Sequence, residues 1–98
     1  MNFESVHNYY EQLVFEHILQ HLVDEQGYRD QEFLEDVACV ALNQLPARYV
    51  RHKVDTAFYQ TDRELEEMHT RVADAIRTAV EHVHKHQEGT RPATISNP

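Results

Sequence analysis

Asp36-Val37-Ala38-Cys39-Val40-Ala41-Leu42-Asn43-Gln44-Leu45-Pro46-Ala47-Arg48-Tyr49-Val50-Arg51 is the stretch whose reading decides the fold. Wound at about 100° per residue, it puts Val37, Val40, Ala41 and Gln44 on one side, with Leu34, Ala38 and Leu45 beside them. That side is the predicted core face. Pro46 ends the helix, because the residue before a proline disfavours helical geometry. The chain then enters a short segment carrying cations and a tyrosine. Asp36 and Asn43 fall on another face, two turns apart, with Cys39 between them. Polar residues aligned in this way are either ordinary solvated surface or placed to meet a ligand or a second subunit.

Upstream, Asp30 fits the N-cap of this helix. Gly27, inside the connector Glu25 to Arg29, suits a left-handed helix end. A first helix is predicted from about Ser5 to about Asp24, with Val6, Tyr10, Leu13, Val14, Ile18 and Leu22 recurring at three and four. Tyr9, Phe15, Leu19 and Val23 widen its apolar arc past half the circumference. A helix so apolar is normally buried on more than one side, which in a short chain points to a partner subunit. Glu11 falls in the middle of that arc, with Asn8 nearby. A buried, unpaired carboxylate is costly, so a cation or several donors should face it. Such a pair either fixes helix packing or recognises a ligand.

Downstream, Arg48, Arg51 and Lys53 place three of the chain's 9 Lys and Arg within six residues, around Tyr49. Arginines can grip a phosphate or a guanine edge with two parallel hydrogen bonds, and a tyrosine can stack on a base. Alternatively, Tyr49 and Val50 plug the core while the arginines neutralise neighbouring acids. Thr61-Asp62-Arg63-Glu64 has the form of a capping box and starts the last helix, with Phe58 and Tyr59 as a hydrophobic staple before it. Leu65, Met68, Val72, Ile76, Ala79, Val80 and Val83 form its stripe, sustained to about His86. Roughly 25 residues at 1.5 Å each give about 37 Å, so the far end projects or packs on a second subunit. Ala73, Ala75 and Ala79 permit close helix approach. Gln87 to Pro98 lacks an apolar pattern and reads as a disordered tail.

Size and composition bound these readings. The chain has 98 residues, enough for one domain. Its 2 Gly and 3 Pro favour long helices over hairpins. The expected fold is therefore all-α, a small helical domain of three main helices over residues 1–86 with a long C-terminal helix and a tail over 87–98. No apolar run approaches the roughly 18–20 residues that cross a bilayer, and the first residues lack signal-peptide character, so no membrane association and a cytoplasmic location are expected. A formal net charge of −8 argues against duplex nucleic acid as a partner, though a small anion needs only a local cationic cluster.

Two chemistries are not expected. The single cysteine excludes an internal disulfide and multi-cysteine zinc sites. His17 with His21, and His82 with His86 around His84, have the i, i+4 spacing of paired ligands. Neither pair stands beside cysteines or an H-E-x-x-H sequence, so no metal site is assigned. Catalysis is likewise unexpected. There is no G-x-S-x-G and no Gly-rich phosphate loop, and the acids around Cys39 would not stabilise a thiolate, which leaves Cys39 as a small packing residue.

The pattern D-x-x-x-x-A-L-N-x-L-P-x-x-Y, here Asp36, Ala41, Leu42, Asn43, Leu45, Pro46 and Tyr49, resembles the late competence development ComFB family. Asn8 and Glu11, as N-x-x-E, and the long last helix extend the resemblance from about residue 5 to about residue 86. It implies a small helical homodimer that acts as a receptor for cyclic dinucleotides such as cyclic di-GMP or cyclic di-AMP, linked to competence, motility and cell-size control. The implied ligand residues are Asn8, Glu11, Asp36, Asn43, Pro46 and Tyr49; Arg48, Arg51 and Lys53 come from the charge argument instead. Some members carry a cysteine cluster before the central helix that looks like a zinc site. Gln26 to Glu35 holds no cysteine here, so zinc is not carried over. The expected function is a signalling protein that binds a cyclic dinucleotide in a dimer, without a cofactor, and relays it to a downstream protein. The alternative is a helical adaptor dimer that binds only proteins and has no need of the Arg48, Arg51 and Lys53 cluster.

Overall fold

Short-range hydrogen bonds set where each helix starts and stops. The computed structural model describes residues 1–51 and 61–94, with side chains described as far as residue 86. In chain order the elements are β1 (His7–Asn8), α1 (Tyr9–His17), a π-helical segment (Ile18–Glu25), α2 (Gln31–Gln44), β2 (Tyr49–Val50) and α3 (Asp62–Thr94). Among the described residues the fold is all-α in character, three helices with a long C-terminal one, as expected. Lys53 and the Phe58–Tyr59 staple lie outside the described residues.

The caps lie where sequence placed them. Asp30 Oδ1 accepts from the backbone N–H of Glu32 at 3.1 Å and of Phe33 at 3.3 Å, opening α2. Leu45, at φ −101 and ψ 139, leaves helical geometry just before Pro46. Thr61 and Glu64 exchange the two bonds of a capping box, at 2.9 and 3.1 Å, and start α3. The backbone of α3 stays helical past His86 to Thr94, into the stretch read as a tail; the side chains after residue 86 and all of 95–98 lie outside the described residues.

The first helix departs from expectation in two ways. It begins at Tyr9, not near Ser5, because Asn8 accepts from the Tyr10 N–H and caps it; Val6 remains outside and 45% exposed. From Ile18 to Glu25 it then winds as a π-helix, so its backbone bonds reach one residue further than α-helical ones. The same widening marks its end at Gly27, whose φ of 81° is the left-handed geometry anticipated there. Gly27 N donates to Val23 O at 3.1 Å and Tyr28 N to Leu22 O at 3.0 Å. The first is the ordinary bond of a left-handed helix end, and the second spans one residue more than its counterpart in the common glycine-ended helix. The Arg29 guanidinium adds a bond to the Val23 carbonyl at 3.0 Å.

One core joins the three helices. Tyr10, Leu13, Val14, Ile18 and Leu22 meet Phe33, Val37 and Ala41 of α2, and Met68, Val72, Ile76 and Ala79 of α3. Val14, Val37 and Ala41 are 0% exposed. Several side chains expected inside are not. Gln44 is exposed at the last residue of α2, and Cys39 is exposed rather than packed. Glu11 is exposed because α2 and α3 cover only part of the wide apolar arc. Phe15 and Leu19, successive turns on from Glu11, stay 48% and 59% exposed.

Candidate ligand-binding site

Pro46 does more than stop α2, because the extended residues after it return to the start of α1. β1 and β2 pair antiparallel with His7 opposite Val50 and Asn8 opposite Tyr49. Tyr9 N donates to Arg48 O at 2.7 Å. Asn8 Oδ1 accepts from Tyr10 N at 3.2 Å and from Arg48 N at 2.9 Å. One side-chain oxygen thus satisfies a helix N-terminus and anchors a segment 40 residues away. The two separated pieces of the sequence pattern, N-x-x-E and L-P-x-x-Y, are joined by this contact.

Beside the junction lies a cavity of about 360 Å³, lined by Tyr10, Pro46, Ala47, Arg48, Glu64, Glu67, Met68 and Arg71. Its cationic side is Arg48 and Arg71, neither of which has an ion-pair partner among the described residues. Its two acids are already engaged. Glu64 accepts from the Thr61 N–H at 2.9 Å, and Glu67 lies 3.5 Å from Arg63. Arg48 and Arg71 offer hydrogen-bond donors for an anion such as a phosphate, with the charges of Glu64 and Glu67 opposing it. Tyr49 adjoins Arg48 in the chain and is 68% exposed, so its ring is available as a stacking surface and does not plug the core.

The other expected site residues do not all converge here. Glu11 is on α1, one turn past Asn8, with its carboxylate at the surface. Arg51 is exposed and closes the first described segment, and Lys53 lies outside the described residues. Asp36 borders a different groove, of about 330 Å³, with Cys39, Val40, His82, Val83 and His86. Asn43 is exposed on α2 and lines neither of these spaces. Arg71, Tyr10, Glu64 and Glu67 were not singled out by sequence as site residues. Their part in the cavity comes from the packing of α3 beside the Pro46 turn, which no local spacing announces.

The sequence model of the late competence development protein ComFB matches residues 7–87. The chain belongs to the ComFB family. No curated protein and no solved structure matches it. Within this ComFB-family chain the matched region spans both halves of the Asn8–Arg48 junction and the start of α3, so the cavity lies wholly within it. Among the described residues no helix is long and apolar enough to cross a membrane.

Proposed function

We propose that this ComFB-family chain is a cytoplasmic signalling protein that binds a cyclic dinucleotide, cyclic di-GMP or cyclic di-AMP, in a homodimer and relays its presence to a downstream protein. The observation that carries the reading is the Arg48 cavity, bordered by two arginines without ion-pair partners among the described residues; Tyr49, next to Arg48 in the chain, is exposed but does not line it. At about 360 Å³ it lies near the lower end of ligand pockets, which run from roughly 300 to 1,000 Å³. That size suits one phosphate-bearing half of a two-fold nucleotide. Two copies of the cavity, related by a dimer axis, would hold the whole. No catalytic step belongs to this reading.

Calorimetric titration with both nucleotides tests it, using the parent chain beside Arg48→Ala, Arg71→Ala and Tyr49→Ala. The expected result is a measurable heat for at least one nucleotide, with affinity reduced in all three variants. Absence of heat with either nucleotide at tens of micromolar overturns the proposal.

A specific surface favours the second reading, an adaptor dimer that binds only proteins. Phe15, Ile18, Leu19, Leu34 and Ala38, with Gln31 and Glu35 beside them, line a mainly apolar groove of about 250 Å³ between α1, the π-helical segment and α2. Such a groove suits a helix from another chain. A dimer in gel filtration that gives no nucleotide heat supports the adaptor; a monomer counts against both readings.

A further inference from the structure

We propose that His17 and His21 form an open two-imidazole site for a borderline divalent transition metal, with Ni²⁺ and Cu²⁺ as the fitting ions and water in the remaining positions. His17 ends α1 and His21 lies in the first turn of the π-helical segment, and both residues border the same groove against α3. Their centroids are 4.3 Å apart with the ring planes at 45°. A metal bound about 2.1 Å from a ring nitrogen lies about 3.2 Å from that ring's centre, so two imidazoles in adjacent positions on one ion have centres about 4.5 Å apart. The observed pair is close to that spacing without any backbone movement.

Second-sphere chemistry points the same way. His21 Nδ1 lies 2.9 Å from Glu25 Oε1. With the proton on Nδ1 donated to that carboxylate, the Nε2 lone pair is left for a metal, the arrangement that commonly orients ligating histidines. The groove, about 350 Å³, also borders Gln26 and Glu81 and leaves room for metal-bound water. Arg77 borders it too, with its charge directed to Asp74 at 3.4 Å. Among the described residues no group of three metal-binding side chains is gathered into a site. Two imidazoles leave the other positions to water, and imidazole donors favour Cu²⁺ and Ni²⁺ over magnesium or calcium.

The second histidine pair is a built-in comparison. His82 and His86 have the same sequence spacing, but their ring centroids are 6.0 Å apart and the planes lie within 11° of parallel. In-plane lone pairs on stacked rings do not converge on one ion.

Calorimetric titration of the full chain with NiCl2 at pH 7.5, in a non-coordinating buffer, tests the site; it shares no residue with the Arg48 cavity. One equivalent should bind most tightly, weakened at least tenfold by His21→Ala and unaffected by His82→Ala. Glu25→Gln, which leaves both rings and the core in place, should weaken it by about tenfold or more, the usual range for losing an orienting carboxylate. Circular dichroism of each variant checks that it is folded. No binding at 100 µM Ni²⁺ overturns the proposal, as does full affinity in folded His21→Ala, or loss in His82→Ala instead.

Discussion

At its N-terminal end α2 is closed by side chains that satisfy one another, whereas at its C-terminal end it is left open over a cavity. The closed end has Asp30 on the first backbone donors, Phe33 stacked on Tyr28 with centroids 5.1 Å apart, and His84 of α3 against Phe33 at 4.8 Å. The Tyr28 hydroxyl and His84 Nε2 are 3.3 Å apart. At the open end Pro46 sends the chain across to Asn8, and the guanidinium groups of Arg48 and Arg71 border about 360 Å³ of empty space. Aromatic packing holds one end together, while the other is held by the Asn8 side chain and backbone hydrogen bonds, which leave Arg48 and Arg71 without ion-pair partners among the described residues.

The contrast breaks first at the closed end. Phe33→Ala should destabilise the fold by about 3–5 kcal/mol, the usual cost of removing a buried aromatic side chain, read from urea or guanidinium unfolding. If the loss stays below 1 kcal/mol, the Tyr28–Phe33–His84 stack is not what secures that end. Arg48→Ala should show the reverse pattern. Nucleotide affinity should fall by about 10- to 100-fold, in line with losing a charge-assisted contact, while stability moves by no more than about 0.5 kcal/mol.

Asn8 is the hinge of the comparison, because its Oδ1 accepts both of its bonds and its amide nitrogen is not used in either. Asn8→Ala should cost about 1–2 kcal/mol, as the removal of a helix cap does, and loosen the segment that lines the cavity. Asn8→Asp keeps the acceptors and should retain most of the stability. Equal losses in the two variants would mean that the amide group matters for something other than these bonds.

The smallest effect concerns His17, beside His21 and His69, with Glu25 as the opposing charge. Its proton affinity is lower in the folded chain than in the unfolded one, so the unfolded state takes up the proton first as pH falls. Stability is then complete above about pH 6.5 and declines as pH drops below it toward the folded value. Thermal melts between pH 8 and pH 5 should show this decline, and His17→Gln should flatten it. An unchanged slope in that variant would assign the decline to other groups.

How much was legible depended on the distance over which each signal acts. The Asp30 cap, the Gly27 end, the Pro46 stop and the Thr61–Glu64 box each rest on residues within a few positions, and each lies where the sequence put it. The stripe of α3 was equally plain, with Met68, Val72, Ile76 and Val83 all buried. Glu11 misled because a helical wheel shows which residues share a face but not how much of it the neighbours cover. The π-helical winding from Ile18 to Glu25 carries no composition signal that separates it from an α-helix. Of the site residues, Arg48 and Tyr49 were singled out by charge and type. Arg71 was not, since only the packing of α3 against the Pro46 turn brings it to the cavity.

Local sequence was enough for the helices, for the caps of α2 and α3 and for most of the buried stripes, because capping and amphipathic periodicity are settled by neighbours one or two turns away; the Asn8 cap of α1 was not among them. The tertiary structure alone decided that Asn8 clasps Arg48, that Asp36 and Arg48 border separate spaces, and that Phe15 and Leu19 stay outside. Those outcomes depend on how far three packed surfaces can cover one another, a quantity fixed by the whole arrangement and by no short segment of it.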